Sequence, residues 1–130
     1  MLVVVTRFTV PDSDAARFRD RAEAALGALS ARPGYQGGRI ARAVDDATRW
    51  LLTTEWDHVG SYRRSLSAFD VKMTATPLLA LAAEEPSAYE VLYGDGPGAA
   101  GAVRVSDRAR DAATVAVGEA AGPAPGREAE

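Results

Sequence analysis

The side chains best able to do chemistry lie close together in one part of the 130-residue chain: Trp56, His58, Tyr62 and Arg64. His58 is the only histidine, and an imidazole with an ordinary pKa of ~6.5 suits proton abstraction near neutral pH. Tyr62 can offer its hydroxyl to a bound molecule or pack its ring. Arg64 can stabilise the oxygen anion of an enolate or semiquinone. Trp50 and Trp56, the only two tryptophans, and Phe69 can supply apolar walls for a planar ligand. Each has a plainer role beside this one. His58 and Arg64 are candidates for exposed positions on a helix. The tryptophans are candidates for core or, at Trp50, for a subunit interface.

Other chemistries are narrowed by composition. The chain has no cysteine, which removes disulfides, thiolate metal sites and a cysteine nucleophile. A single histidine rules out a multi-histidine metal centre within one chain. Asp45-Asp46 reads as a turn, because a divalent cation needs more oxygen ligands than this pair supplies. Gly37-Gly38 is not followed by a helix N-terminus that would cradle a phosphate, so a β-bulge is expected there. The net charge of -3 gives no overall attraction for nucleic acid. No apolar run approaches the ~20 residues of a membrane span and no basic leader precedes Leu2-Val3-Val4-Val5. No cofactor, no nucleic acid, no membrane and a cytoplasmic location are therefore expected.

These residues must be positioned by ordered elements. Arg49 to Trp56 is β-branched, aromatic and aliphatic without a breaker, which predicts a strand. Trp50, Leu52, Thr54 and Trp56 share one side of it, and Asp57 is placed to cap the helix that follows. Leu2 to Val10 predicts a strand apolar on both faces. Asp12 or Ser13 then caps a helix over Asp14 to Ala31, with Phe18, Ala22, Ala25, Leu26 and Leu29 on its inner stripe. The charged residues of this helix, Arg17, Arg19, Asp20, Arg21 and Glu23, fall on a solvated face. Arg32-Pro33-Gly34 ends it. Tyr35 to Ala43 forms a hairpin with Arg49 to Trp56. Tyr62, Leu66 and Phe69 recur at helical spacing over Val59 to Ala68, and Phe69 to Ala75 is less regular. Thr76-Pro77 opens a second short helix through Leu78, Leu79, Leu81 and Ala82. Ser87 to Tyr93 alternates as a last strand. Two domain-level segments follow: a folded unit over 1–93, and a tail over 94–130 rich in glycine, alanine and proline, expected to be disordered. Ala102 to Val105 and Thr114 to Val117 are its two weak extended patches.

Strand, helix, strand, strand, helices, strand is the order of an α+β, ferredoxin-like split βαββαβ unit. It gives a four-stranded antiparallel sheet with helices on one face. The sheet's second face is also apolar, so a homodimer packed sheet on sheet is expected. The chain resembles the antibiotic biosynthesis monooxygenase-like family, a group with the dimeric α+β barrel fold. The features that carry the resemblance are the apolar strand Leu2–Phe8, the turn Arg32-Pro33-Gly34-Tyr35 and the strand end Glu55-Trp56-Asp57. Tyr62-Arg63-Arg64, Val71-Lys72-Met73, Pro77-Leu78-Leu79 and Tyr89-Glu90-Val91 extend it over Met1 to about Tyr93.

In that family some members are cofactor-independent oxygenases that turn phenolic polyketides into quinones, and others degrade haem. The resemblance implies that Trp56 occupies the place of the family's strand-end tryptophan and that His58, Tyr62 and Arg64 border the pocket. The haem-degrading members use a first-strand asparagine and a later histidine. This chain contains no asparagine and its histidine comes too early, so that activity is not expected. The functional expectation is a monooxygenase for a planar phenolic or polyketide-like substrate, with His58, Tyr62 and Arg64 catalytic and Trp56, Phe69 and Trp50 binding a small aromatic or apolar ligand. The alternative is a non-catalytic small-molecule-binding or scaffold dimer of the same fold; a related barrel such as the EthD type shares the architecture.

Overall fold

The computed structural model describes residues 1–96 and the backbone of residues 101 and 102. The N-terminal run forms β1 (Leu2–Thr9), and after a 3-10 turn at Asp12–Asp14 comes α1 (Ala15–Ser30). A hairpin of β2 (Tyr35–Arg42) and β3 (Arg49–Trp56) follows, then three short helices, α2 (Val59–Ser65), α3 (Phe69–Thr74) and α4 (Thr76–Leu79). The strand β4 (Ala88–Glu90) closes the unit. The sheet order is β2-β3-β1-β4, every neighbouring pair antiparallel. This is the split βαββαβ arrangement anticipated from the order of elements.

Period-2 alternation decides what each side of the sheet does. Leu2, Val4, Thr6 and Phe8 of β1 and Trp50, Leu52, Thr54 and Trp56 of β3 are all buried, and cross-strand register pairs them, Phe8 with Trp50 and Leu2 with Trp56. The inner stripe of α1, Phe18, Ala22, Ala25 and Leu29, packs into the same core with Val59, Val71 and Leu78. Small alanines at the centre of that stripe let the helix approach the sheet closely. On the other side Val3, Val5, Leu51 and Thr53 are half-buried. Both tryptophans therefore face the helices, and Trp50 is not on the open side where a sheet-on-sheet interface would use it.

Several local expectations are corrected. The helix cap after β3 is His58 and not Asp57: the His58 Nδ1 accepts the Gly60 N–H at 3.0 Å. Neither Asp12 nor Ser13 caps α1; its N-cap is Asp14, whose carboxylate pairs with Arg17 at 3.2 Å instead of bonding the backbone. Phe69 does not continue the stripe of Tyr62 and Leu66. The chain turns after Ser65, so Phe69 opens α3 and is 73% exposed. Residues 69–74, read as irregular, are this helix. Thr76 lies inside α4 with Ala75 as N-cap, and the helix stops at Leu79, leaving Leu81 exposed. The last strand is shorter than Ser87 to Tyr93. Glu90 pairs with Leu2, and the Val91 N–H donates at 3.0 Å to the carbonyl of Met1, the chain's first residue, so nothing remains to pair with Leu92 and Tyr93. Tyr93–Gly94 (β5) instead pairs with Gly101–Ala102 (β6). Of the tail expected to be disordered, residues 97–100 and 103–130, with most of the patch at 102–105 and all of that at 114–117, lie outside the described residues.

Two turn expectations hold. The β2–β3 register shifts between Tyr35 and Gly37, the bulge the glycine pair suggested. In the hairpin loop the Asp46 carboxylate accepts the Thr48 N–H at 3.0 Å and its hydroxyl at 2.6 Å, which fixes the turn and holds the Asp46 pKa below its ordinary value.

Candidate functional site

The two tryptophans mark two different ends of the helix-covered face. At the C-terminal end of β3, Trp56 is completely buried. Its indole N–H donates to Thr54 Oγ1 at 2.8 Å. Tyr35 meets it edge-on with ring centroids 5.4 Å apart, and Tyr62 lies tilted against it at 5.7 Å. Burial raises the Tyr35 pKa, helped by the nearby Glu55 charge and opposed by Arg39.

Above this cluster the chain is tied by short polar bonds. Gly34 accepts the Asp57 N–H at 2.9 Å, and the Asp57 carboxylate accepts the His58 N–H at 2.7 Å. Partial burial pulls the Asp57 pKa up, but the Ser61 hydroxyl and the His58 N–H outweigh it and leave the carboxyl below its ordinary value. This end holds Trp56, His58 and Tyr62 together, but as a packed corner. Arg64 is exposed on α2 and Phe69 is exposed on α3.

The open space lies at the other end. A groove of about 490 Å³ runs between α1 and the edge strand β2, with Trp50 in its wall. Leu26, Ile40 and Gly38 line it with Trp50, and Arg19 and Arg42 bring positive charge; Arg39 borders it, but its pairing with Thr53 turns its side chain to the other side of the sheet. The register explains the assembly. Arg42 stands opposite Trp50 and Ile40 opposite Leu52, so both point to the α1 side. The Arg42 guanidinium sits over the indole, 5.2 Å from the ring centroid, a cation–π contact. Phe18 of α1 braces the indole from its edge at 5.2 Å and stacks in turn on Phe8 at 5.0 Å. Gly38 keeps the floor low, since a Cβ there would come within 2.6 Å of Leu26 Cδ1 and crowd the Tyr35 hydroxyl.

One atom in this wall stands out chemically. Trp50 is only 7% exposed, and its Nε1–H is buried with no acceptor among the described residues. Glu23, also on the lining, is paired with Arg19 at 3.1 Å. A smaller hollow of about 110 Å³ opens nearby beside Phe8, Val10, Phe18 and Leu81.

Of the six residues expected at a site, Trp50 alone lines either of these two spaces. Arg42, Arg39, Leu26 and Ile40 were not singled out from sequence. Arg42 was legible in principle, through the hairpin register that sets it across from Trp50. Arg19 had been placed on a solvated face. It is exposed there and also reaches the groove.

No curated protein sequence matches the chain. Among solved structures, SnoaB, a cofactor-independent oxygenase from Streptomyces nogalater, superimposes with a TM-score of 0.60 at 24% identity, over 68% of this chain and 90% of that one. A Nitrosomonas europaea protein assigned to the antibiotic biosynthesis monooxygenases gives 0.59 at 19% identity, over 72% of this chain and 100% of that one. A Deinococcus radiodurans protein with the same assignment gives 0.59 at 20% identity, over 69% and 91%. At these identities the likeness is one of fold. The sequence profile of the antibiotic biosynthesis monooxygenases, however, matches residues 1–74, more than half of the chain. The chain belongs to the antibiotic biosynthesis monooxygenase family.

Proposed function

We propose that the protein is a cofactor-independent monooxygenase for a planar phenolic or polyketide-like substrate, bound in the groove beside Trp50. The observation that carries this reading is the groove itself. Its size is within the range of small-molecule sites, and it combines an aromatic wall with a few convergent charged groups. Family membership supports the reaction type. In this reading the indole and Ile40 flank the substrate ring. Arg42 stabilises its phenolate or enolate, which lowers the pKa of the substrate itself. The electron-rich anion then reduces oxygen. A ring CH₂ becomes C=O, one oxygen atom enters the product, and the other leaves as water with the two hydrogens.

His58 takes a structural part here. Its Nδ1 lone pair already accepts the Gly60 N–H, so it would have to abandon the α2 cap to act as a base at that nitrogen. The test is oxygen uptake with a panel of anthrone-type phenols, with ¹⁸O₂ as label. Uptake with one labelled oxygen in the quinone is expected. No uptake by the wild-type protein across the panel would refute the enzymatic reading. The rival reading, a non-catalytic binder, is favoured by one observation: among the described residues the only carboxylate on the groove lining, Glu23, is engaged by Arg19. Binding of the same phenols without uptake is its signature.

We also place a second copy of the chain against the open face of the sheet, where Val3, Val5 and Leu51 are only half-buried. Sedimentation equilibrium should return twice the chain mass; a single-chain mass at high concentration would remove the dimer.

A further inference from the structure

We propose that the Trp50 groove is built for a planar aromatic acid, with a carboxylate held by Arg42 and a neighbouring ring oxygen accepting the Trp50 indole N–H; this rests on that groove being the substrate site. The first ground is charge. Among the described residues Arg19, Arg42 and one glutamate turn toward the groove, and the glutamate is taken by Arg19. Arg42 has no carboxylate partner among the described residues, in a chain whose net charge is -3. The groove is thus a locally cationic place on an acidic protein, which concentrates small anions and orients them.

The second ground is the unpaired indole. A donor buried without an acceptor is unfavourable unless something supplies one, and Trp50 Nε1 is such a donor. The third is the position of Arg42. Its guanidinium lies over the indole ring, 5.2 Å from the centroid, where a ligand ring would stack. Arg42 itself is exposed, so it is free to swing aside. An incoming ring takes its place on the indole, and the displaced guanidinium meets the carboxylate at the ring's edge. The planar fork of arginine matches the two oxygens of a carboxylate and not the single oxygen of a neutral phenol.

The test uses the full chain and two probes of the same ring system, 3-hydroxy-2-naphthoate and 2-naphthol, titrated calorimetrically against the wild type and Arg42→Gln. The wild type should bind the acid about tenfold or more tighter than the naphthol, the size of effect one charge-assisted hydrogen bond produces. Arg42→Gln should abolish that preference, weakening the acid about tenfold or more and 2-naphthol far less. An acid that binds no tighter than 2-naphthol to the wild type overturns the proposal. So does an Arg42→Gln variant that weakens both probes equally, or a groove that binds neither. Because binding is read without turnover, the two readings fail separately. Acid preference without oxygen uptake refutes the reaction alone. Uptake with neutral phenols and no acid preference refutes this proposal alone.

Discussion

Replacing Trp56 with alanine should destabilise the protein by about 3–5 kcal/mol, enough to unfold most of it if its stability lies at the lower end for domains of this size. Trp56 is fully buried at the last position of β3, where the strand pairs with Leu2 on one side and Tyr35 on the other. Removing the indole empties the space between Tyr35 and Tyr62 and strips Thr54 Oγ1 of a donor at a site only 3% exposed. Urea unfolding of the variant checks it; a loss below about 1 kcal/mol would contradict the packing described. The consequence reaches into function. Loss of activity in Trp56→Ala reports a collapsed corner, so this variant cannot assign chemistry to the indole. Arg42, exposed and at the groove, is the better probe.

Gly34→Ala is the second large effect, expected to cost about 2–4 kcal/mol and to lower the melting midpoint by about 10 °C or more. Gly34 turns the chain out of α1 with φ of 91°, a conformation that side chains resist. A Cβ there would also run into the Ser61 Cβ and hydroxyl and the Asp57 carboxylate. The strain and the collision add, because the same Asp57 that would be pushed aside is tied to Gly34 through the backbone. Gly27, inside α1 with nothing within 4 Å of an added Cβ, is the internal comparison. Alanine there should raise the midpoint. A Gly34→Ala midpoint within about 2 °C of wild type would refute the cradle at the α1–β2 turn.

Much of the fold was legible because it rests on periodicity. The stripe Phe18, Ala22, Ala25, Leu29 and the alternation of Trp50 to Trp56 each admit one buried face, so the order of elements led to the observed sheet. What was not legible depended on where an element stops. Asp57 and His58 are both plausible caps, and only the extended backbone at His58 decides for the histidine. Phe69 fits the spacing of Tyr62 and Leu66 on paper, but a helix ending at Ser65 cannot carry the stripe further.

The groove was missed for a related reason. Placing Arg42 across from Trp50 requires the length of the loop after it, closed by the Ala43 N–H donating to the Arg49 carbonyl, and a register shifted by one residue would send Arg42 to the opposite side of the sheet. The chemistry-bearing residues near Trp56 drew notice by type. The residues that enclose space, Leu26, Ile40 and Gly38, have no chemical signature and become visible only once α1 is laid over β2.

The central claim is that ligand is held at the Trp50 end of β3 and not at Trp56, six residues and about 20 Å further along the strand. The two indole N–H signals of the ¹⁵N-labelled protein, assigned with a Trp50→Phe variant, report on the two ends separately. Titration with 3-hydroxy-2-naphthoate should shift the Trp50 signal downfield as its unpaired N–H gains an acceptor, while the Trp56 signal, already bonded to Thr54, stays in place. A shift at Trp56 with Trp50 unmoved would contradict it.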